Sequence, residues 1–311
     1  MTQTTITEKP TSSSIVLRFA RLTPNARGAC WMVLGALGFA INGALIKYLA
    51  YDGLDPFQIA MARAFFALFI LLPFIWKAGP KAFRTRHPGI HLLRGVIGSV
   101  AMMCGFYAVA HLPLADVAAL GFTQPLFTIL LAVILLKEPV AWQRWLATAI
   151  GFCGVLLMVR PGHHSFDPVM LVALLMAFGI GLSVVLVKMM PREESTTVLL
   201  TYFCIASLVT TSIPALIAWR DPTVLQWLVL AAIGVIGAGA QSFLLRAYKV
   251  GEATFVSPFD YSKIIIASAL GFYIFGEIPT IWTGLGAAVI VGSTYHIARS
   301  ESRAAAVKRS S

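Results

Sequence analysis

The stretch Ala115 to Leu136, ADVAALGFTQPLFTILLAVILL, is a run of 22 residues with a single charged side chain. A membrane-spanning helix needs about 20 mostly apolar residues, so we interpret this run as a span. The stretch Thr254 to Phe275, TFVSPFDYSKIIIASALGFYIF, begins 139 residues later and has the same length and a similarly apolar character. Together the two stretches predict a membrane protein with an internal repeat.

The whole chain has the composition of a membrane protein. Its 311 residues are 58% hydrophobic and 12% charged, with a mean hydropathy of +0.82, whereas soluble domains carry about 25% charged residues. We therefore predict an all-α integral membrane protein with ten transmembrane helices and no separate catalytic or nucleotide-binding domain. The predicted spans are Gly28 to Tyr48, Pro56 to Trp76, His91 to Ala110, Ala115 to Leu136, Trp142 to Val159, Pro168 to Met190, Thr196 to Trp219, Val224 to Arg246, Ala253 to Phe275 and Pro279 to Ala298.

The basic residues predict the orientation of these spans. If the N-terminus is cytoplasmic, 18 Lys and Arg residues fall on the cytoplasmic side and three on the other, namely Lys47, Arg160 and Arg220. Lys and Arg accumulate in cytoplasmic loops, so both termini are predicted to be cytoplasmic. The same rule explains the net charge of +11 without a nucleic-acid partner.

The two halves of the chain resemble each other at a nearly constant offset. Gly95 to Gly98 (GVIG) recurs as Gly234 to Gly237, and an offset of 139 also pairs Glu138 with Glu277. An offset of 141 pairs Lys47 with Lys188. Five spans per half is an odd number, so we predict two five-helix repeats of inverted topology, an arrangement typical of secondary transporters. The predicted organisation is a cytoplasmic tail at 1–27, repeats at 28–160 and 167–298, and a basic cytoplasmic tail at 299–311.

Several of these segments resemble a known family. The stretch Leu114 to Pro161 contains a span around Gln124-Pro125, a Lys137-Glu138 helix end and a glycine-rich fifth span, and it resembles the first repeat of an EamA-type member of the drug/metabolite transporter superfamily. Phe259 to Gly286 resembles the matching part of the second repeat. The resemblance implies a carrier of a small organic molecule, with a cavity lined by the first four helices of each repeat. The fifth and tenth helices would then pack outside, where a homodimer contact is one option.

Ionisable residues inside spans are expensive in hydrocarbon and are functional candidates by default. Asp260 and Lys263 lie three residues apart on one face of the ninth span. They are either a structural pair that neutralises itself, or a cavity pair in which Lys263 binds an anionic group. Arg63 either reaches the cavity or extends its charge to the membrane surface. Glu138 and Glu277 lie at matching helix ends, and we interpret both as structural.

Uncharged polar residues complete the candidate site. Under the offset of 139, Gln124 corresponds to Lys263, Phe122 to Tyr261 and Thr123 to Ser262. These positions would face each other across the pseudo-twofold axis, near the helix-breaking Pro125 and Pro258. The predicted substrate-binding residues are Gln124, Lys263, Asp260, Tyr261, Thr123, Ser262, Arg63 and Asn42.

No cofactor, metal or catalytic motif is predicted. The four cysteines have no CxxC spacing, and the adjacent His163 and His164 alone make an incomplete metal shell. We expect a non-enzymatic, multi-pass protein of a bacterial-type inner membrane, whose partners are its substrate and membrane lipid. The expected activity is secondary transport of a neutral, zwitterionic or anionic metabolite, with aromatic solutes included. Export of amino acids or related metabolites is preferred, uptake of a vitamin such as riboflavin is the alternative, and a receptor, membrane enzyme or channel is the alternative of a different class.

Overall fold

The computed structural model describes residues 22–137, 142–159, 167–190, 196–251 and 256–310. Within these ranges the chain forms α-helices and two short 3-10 turns, and no strand. The predicted all-helical class is confirmed. The candidate residues Glu138, His163 and His164 lie outside the described ranges, as does most of the N-terminal tail.

Six helices belong to the first half and five to the second. The first six are α1 (Pro24–Tyr51), α2 (Pro56–Ala78), α3 (Pro88–His111), α4 (Leu114–Gly121), α5 (Gln124–Leu136) and α6 (Trp142–Val159). The next five are α7 (Val169–Met189), α8 (Thr196–Ile217), α9 (Val224–Val250), α10 (Ser262–Phe275) and α11 (Ile281–Ser310). The 3-10 turns are Gly79–Ala82 after α2 and Ser257–Tyr261 before α10.

Local sequence explains where several helices begin. Asp55 accepts a hydrogen bond from the backbone N–H of Phe57 at 2.8 Å, and Pro56 occupies the first helical position, where no N–H is needed. Thr223 and Gln226 form a reciprocal capping box at the start of α9. These caps fix helix ends in the connections between apolar runs.

Seven apolar segments within the described ranges are long enough to cross a bilayer, with α4 and α5 counted as the single segment Leu114–Leu136. Trp145–Val159 and Ile281–Ser293 are shorter apolar helical segments. The chain is therefore a multi-pass membrane protein, while the count of ten spans stays a prediction. The fourth predicted span, expected as one helix, is divided into α4 and α5 at Phe122 and Thr123.

The helices pair in a pattern that relates the two halves. Helix α1 packs against α9, and α3 packs against α7. At the first contact a Cβ on Gly38 would lie 2.9 Å from the Cβ of Ala240, and at the second a Cβ on Gly179 would lie 2.8 Å from that of Ala101. Offsets of 141 and 139 carry Gly38 to Gly179 and Ala101 to Ala240, so these are the same contact in two copies. Small residues allow both helix pairs to approach closely.

The last helices of the two halves also contact each other. Helix α6 packs mainly on α11, where a Cβ on Gly154 would lie 3.0 Å from the carbonyl oxygen of Gly286. Large apolar side chains elsewhere point outward, including Trp76 and Ile217, which are 89% and 84% exposed. Such an apolar exterior suits lipid and would be unfavourable in water.

Candidate functional site

The fourth predicted span is interrupted between α4 and α5, and the described part of the ninth has a 3-10 turn before α10. Between α4 and α5, the N–H of Phe122 donates to the carbonyl of Ala119 at 3.1 Å, and that of Thr123 donates to Leu120 at 3.0 Å. These tight bonds end α4, and Pro125 in the first turn of α5 has no N–H to continue the ladder. In the ninth segment, the 3-10 turn Ser257–Tyr261 contains Pro258 and precedes α10. Both prolines therefore lie at interruptions, as their sequence positions predict.

The two interruptions meet each other. The rings of Phe122 and Tyr261 are in edge-to-face contact, with centroids 4.9 Å apart. These residues are equivalent under the offset of 139. The predicted encounter of the two half-sites is thus present for this ring pair.

Lys263 lies one residue into α10, beside this ring pair in sequence. Its Nζ is 5.4 Å from the centroid of the Phe39 ring on α1, a cation–π geometry. Asp260 interacts with it electrostatically, but no nitrogen-to-oxygen distance between the two is within 4.0 Å. In the described part of the chain, Lys47 and Glu277 are the one basic and acidic pair whose nitrogen and oxygen atoms lie within 4.0 Å. The self-neutralising alternative is therefore absent as a direct ion pair.

The polar side chains beside the interruptions differ in exposure and in whether they already form a hydrogen bond. The Thr123 side chain is fully buried, and its hydroxyl donates to the carbonyl of Leu120 at 2.6 Å. Gln124 is partly exposed at the start of α5. The Ser262 hydroxyl is buried and has no hydrogen-bond partner among the described residues. Ser262 and Gln124 are thus better placed than Thr123 to offer a polar group to a ligand.

Arg63 and Asn42 lie together at another place, on either side of Gly237. The Asn42 amide donates to the carbonyl of Ile233 at 2.7 Å, which joins α1 to α9. The Arg63 Nη1 donates to Met102 Sδ at 2.6 Å, and its guanidinium lies 5.7 Å from the Phe106 ring centroid. A Cβ on Gly237 would lie 3.4 Å from both the Asn42 amide nitrogen and Arg63 Nε.

These contacts assign different parts to the two residues. The buried Asn42 uses an amide donor in helix packing. Arg63 contacts sulfur and an aromatic face, and also interacts electrostatically with Cys204, its counterpart in the second repeat. No carboxylate oxygen in the described ranges is within 4.0 Å of Arg63. The side-chain amide of Asn42 is thus hydrogen-bonded within the helix packing, whereas binding of a ligand anion by Arg63 stays a prediction.

The substrate-binding residues predicted from the sequence do not include a second buried polar cluster. Lys47, predicted above as a charge at the non-cytoplasmic end of the first span, lies within α1, is 2% exposed and forms an ion pair with Glu277. The hydroxyl of Thr283 donates to the carboxylate of Asp116 at 2.6 Å nearby. The signal was present in the repeat, since each half carries a lysine and a glutamate at the matching positions.

Two surface hollows lie away from the helix interruptions. One of about 500 Å³ is lined by residues that include Asp55, Trp219 and Arg220. Another, of about 480 Å³, lies between α6 and α11 and includes Trp142 and His296. Neither of these two hollows is lined by a residue of the helix interruptions, where the rings of Phe122 and Tyr261 are in contact.

Broken helices that meet between two sequence repeats are characteristic of membrane carriers, and this fold and site define the chain as a membrane transporter. The chain belongs to the EamA-like transporter family, whose family model matches residues 26–160 and 167–299.

Relatives with named activities support this class. The chain is 32% identical over 284 residues to an S-adenosylmethionine uptake transporter of Rickettsia prowazekii (strain Madrid E), covering 91% of this chain and 96% of the relative. It is 31% identical over 281 residues to a riboflavin transporter of Vibrio cholerae, covering 89% and 94%. It is 30% identical over 280 residues to a pseudopaline exporter of Pseudomonas aeruginosa, covering 88% and 96%. The function at this level is transport of a small molecule.

A solved crystal structure has the same fold. It superposes with a TM-score of 0.55 at 19% identity, over 86% of this chain and 97% of the other.

Proposed function

We propose that this protein is a ten-span carrier that moves a small ring-bearing metabolite across the inner membrane by alternating access. The observation that carries the proposal is the meeting of the interruptions, where Phe122 contacts Tyr261 and Lys263 has no carboxylate oxygen within 4.0 Å among the described residues. Substrate sites of repeat-built carriers lie near the membrane midplane at the repeat interface. The family and its named relatives support transport of a small molecule.

The repeat arrangement supports inverted topology. Five spans in each repeat would place the second repeat upside down relative to the first. The matched contacts of Gly38 with Ala240 and of Gly179 with Ala101 are what a pseudo-twofold axis between the repeats requires. With both termini in the cytoplasm, Lys263 lies near the middle of its span. We propose the repeats at 28–160 and 167–298, flanked by cytoplasmic tails.

The chemistry of the site favours an anionic or zwitterionic group attached to a planar ring. Lys263 and Arg63 each lack a carboxylate within 4.0 Å among the described residues. The N-termini of α5 and α10 add partial positive charge at the interruptions. Phe122 and Tyr261 offer ring faces and edges to a flat solute. A substrate carboxylate near Lys263, with a ring near Phe122, would satisfy both features.

S-adenosylmethionine and riboflavin are the first substrates to test, because the named relatives carry them and both contain a planar heterocycle. S-adenosylmethionine carries an amino-acid carboxylate, but its ammonium and sulfonium give it a net positive charge, so riboflavin fits the expected charge better. Aromatic amino acids should be tested as well, because export of amino acids was the preferred prediction from the sequence. A carrier without a coupled driving ion transports in either direction according to the gradient, so an exchange assay tests the substrate independently of direction.

The test is counterflow in proteoliposomes loaded with each unlabelled metabolite and supplied with the labelled form. We expect saturable accumulation for one of these compounds, and its loss in Lys263→Met. Lys249→Met is the matched control, because Lys249 is an exposed lysine near the end of α9 and should leave counterflow unchanged. A strict preference for organic dications, or equal loss in both variants, would refute the assigned site chemistry.

The outer helices suggest the remaining partners. Helices α6 and α11 pack on each other and present Trp142 and Leu146 outward. We propose lipid as their environment, with a homodimer contact as the alternative. Cross-linking from Leu146→Cys in native membranes would distinguish them, since lipid alone leaves the chain monomeric.

A further inference from the structure

We propose that the cluster around Lys47 and Glu277 is a latch that closes the non-cytoplasmic end of the transport path, and that it must open in every cycle. The inference rests on the proposed function, because it assigns a step to the same carrier. It concerns four side chains, Lys47, Asp116, Glu277 and Thr283, which we call the latch.

Lys47 is the centre of the latch. It lies in the last turns of α1 with 2% of its side chain exposed, pairs with Glu277, and donates from Nζ to the carbonyl of Leu112 at 2.7 Å. The rings of Tyr51 and Phe275 lie 5.5 and 5.6 Å from the same Nζ. These two rings contact each other edge to face at 5.5 Å. The ammonium is thus paired and shielded from solvent.

Glu277 connects this lysine to a second helix start. It follows α10 directly after Gly276, whose φ of +69° turns the chain. Its Oε2 accepts a hydrogen bond from the backbone N–H of Leu114, the first residue of α4, at 2.8 Å. A Cβ at Gly271 would overlap that oxygen, so the absence of a side chain there makes room for the carboxylate.

Asp116 and Thr283 form a second connection beside the first. The Thr283 hydroxyl on α11 donates to Asp116 Oδ1 on α4 at 2.6 Å, and both side chains are buried. Asp116 also interacts electrostatically with Glu277 and Lys47. Asp116 is repelled by Glu277 and attracted by Lys47, so the two connections lie close enough to form one polar cluster.

Both connections join the first repeat to the second. Lys47 and Asp116 belong to the first repeat, and Glu277 and Thr283 belong to the second. Alternating access moves parts of the two repeats against each other. A network that crosses between them at one membrane face must therefore break when that face opens. Water entering the opened face would solvate the separated charges, which lowers the cost of breaking the pair.

The repeat supplies an internal comparison. Lys188 occupies in the second repeat the position of Lys47 in the first, and it is exposed whereas Lys47 is buried. Equivalent residues thus have opposite environments at opposite ends of the molecule. This asymmetry is expected of a carrier that is closed at the Lys47 end.

The first test measures opening without any substrate. Cys30, Cys104 and Cys153 are changed to Ser, which leaves the buried Cys204 beside Arg63 as the reporter. A membrane-impermeant thiol reagent is then added from the non-cytoplasmic side. Weakening the latch by Glu277→Gln should raise the rate of Cys204 modification roughly tenfold, since the open state becomes more populated. Asp221→Asn, which removes an exposed charge at the same end whose carboxylate accepts a hydrogen bond from Trp219 of its own repeat, should leave the rate unchanged.

The second test locks the latch. Lys47→Cys and Glu277→Cys are combined in a background without the native cysteines, and a short bis-methanethiosulfonate joins the two thiols. Cross-linking should abolish counterflow and a reductant should restore it, so the reduced protein serves as its own folding control. Single-cysteine variants treated with the same reagent should keep transporting.

The outcomes separate the latch from the transport proposal. Full counterflow by the cross-linked protein, or unchanged Cys204 reactivity in Glu277→Gln, would overturn the latch and leave the transport proposal intact. A gain of Cys204 reactivity without counterflow of any tested metabolite would support the latch and contradict the substrate assignment.

Discussion

Lys47 and Lys263 both lie within helices, yet their surroundings are opposite. Lys47 has a carboxylate, a backbone carbonyl and two aromatic rings around its ammonium. Lys263 has the ring of Phe39 nearby and no carboxylate oxygen within 4.0 Å among the described residues. A charge inside a membrane protein needs compensation, and at Lys263 a bound anion can supply it. We therefore propose that Lys47 joins helices, whereas Lys263, with Asp260 as its electrostatic neighbour, is available to a ligand.

The largest effect that would test this comparison is on stability. Lys47→Met leaves the Glu277 carboxylate buried without its cation, and we expect a loss of about 3 to 5 kcal/mol in the free energy of unfolding. Thermal unfolding in detergent measures it. Combining Lys47→Met with Glu277→Leu should recover much of the loss, because no unpaired charge remains. A Lys47→Met variant as stable as the natural protein would contradict the pairing.

The second effect is on transport. Lys263→Ala and Gln124→Ala should lower counterflow without lowering the amount of folded protein, because both residues lie at the helix interruptions. Loss of one hydrogen bond to a charged group costs about 1.5 to 3 kcal/mol, or roughly a tenfold to hundredfold decrease in apparent affinity. Counterflow over a range of substrate concentrations, with membrane abundance measured in parallel, provides the test. Loss of folded protein in step with flux would instead make Lys263 a structural residue like Lys47.

Periodic and repeated features were predictable from the sequence, and single contacts were not. The offset of 139 predicted that Phe122 and Tyr261 would face each other, because a repeated fold brings equivalent positions to its axis. Counting basic residues placed Lys47 at the non-cytoplasmic end of the first span, but such a count contains no information on burial or on a partner 230 residues away, Glu277. Helix α1 ends at Tyr51, three residues past the predicted boundary, so Lys47 lies one turn inside the helix.

The sequence also could not predict which polar side chains form hydrogen bonds within the fold and which do not. Thr123 and Ser262 are equivalent in sequence, yet the Thr123 hydroxyl bonds its own helix and the Ser262 hydroxyl is buried without a described partner. The offset of 139 makes them equivalent, but the sequence contains no information on side-chain rotamers. Asn42 was a reasonable candidate by polarity, but its partner Ile233 lies 191 residues away.

A third prediction concerns the space that the latch requires. Gly271→Ala would place a Cβ against the Glu277 carboxylate, and overpacking of this kind typically costs about 1 to 3 kcal/mol. Gly284→Ala is the matched control, since a Cβ there meets nothing within 4 Å and alanine is the better helix former. We expect a lower unfolding temperature for Gly271→Ala and an equal or higher one for Gly284→Ala. Equal unfolding temperatures would mean that Glu277 can move aside without cost.

The smallest expected effect is on the aromatic contact at the helix interruptions. An edge-to-face pair contributes about 0.5 to 1.5 kcal/mol beyond its buried area, and Phe122 and Tyr261 form such a pair at 4.9 Å.

If the rings separate to admit a flat substrate, Phe122→Leu and Tyr261→Leu should each weaken substrate affinity, because the ring contacts with the substrate are lost. The double variant should then be weaker than either single variant. If the rings serve only to hold the repeats together, the double variant should lose stability and keep its affinity. A double-mutant cycle that records both the unfolding temperature and the counterflow affinity separates these outcomes. The matched control is Phe127→Leu, which removes a ring that packs against Phe152 and Phe178 at 5.2 and 5.6 Å and should affect stability alone.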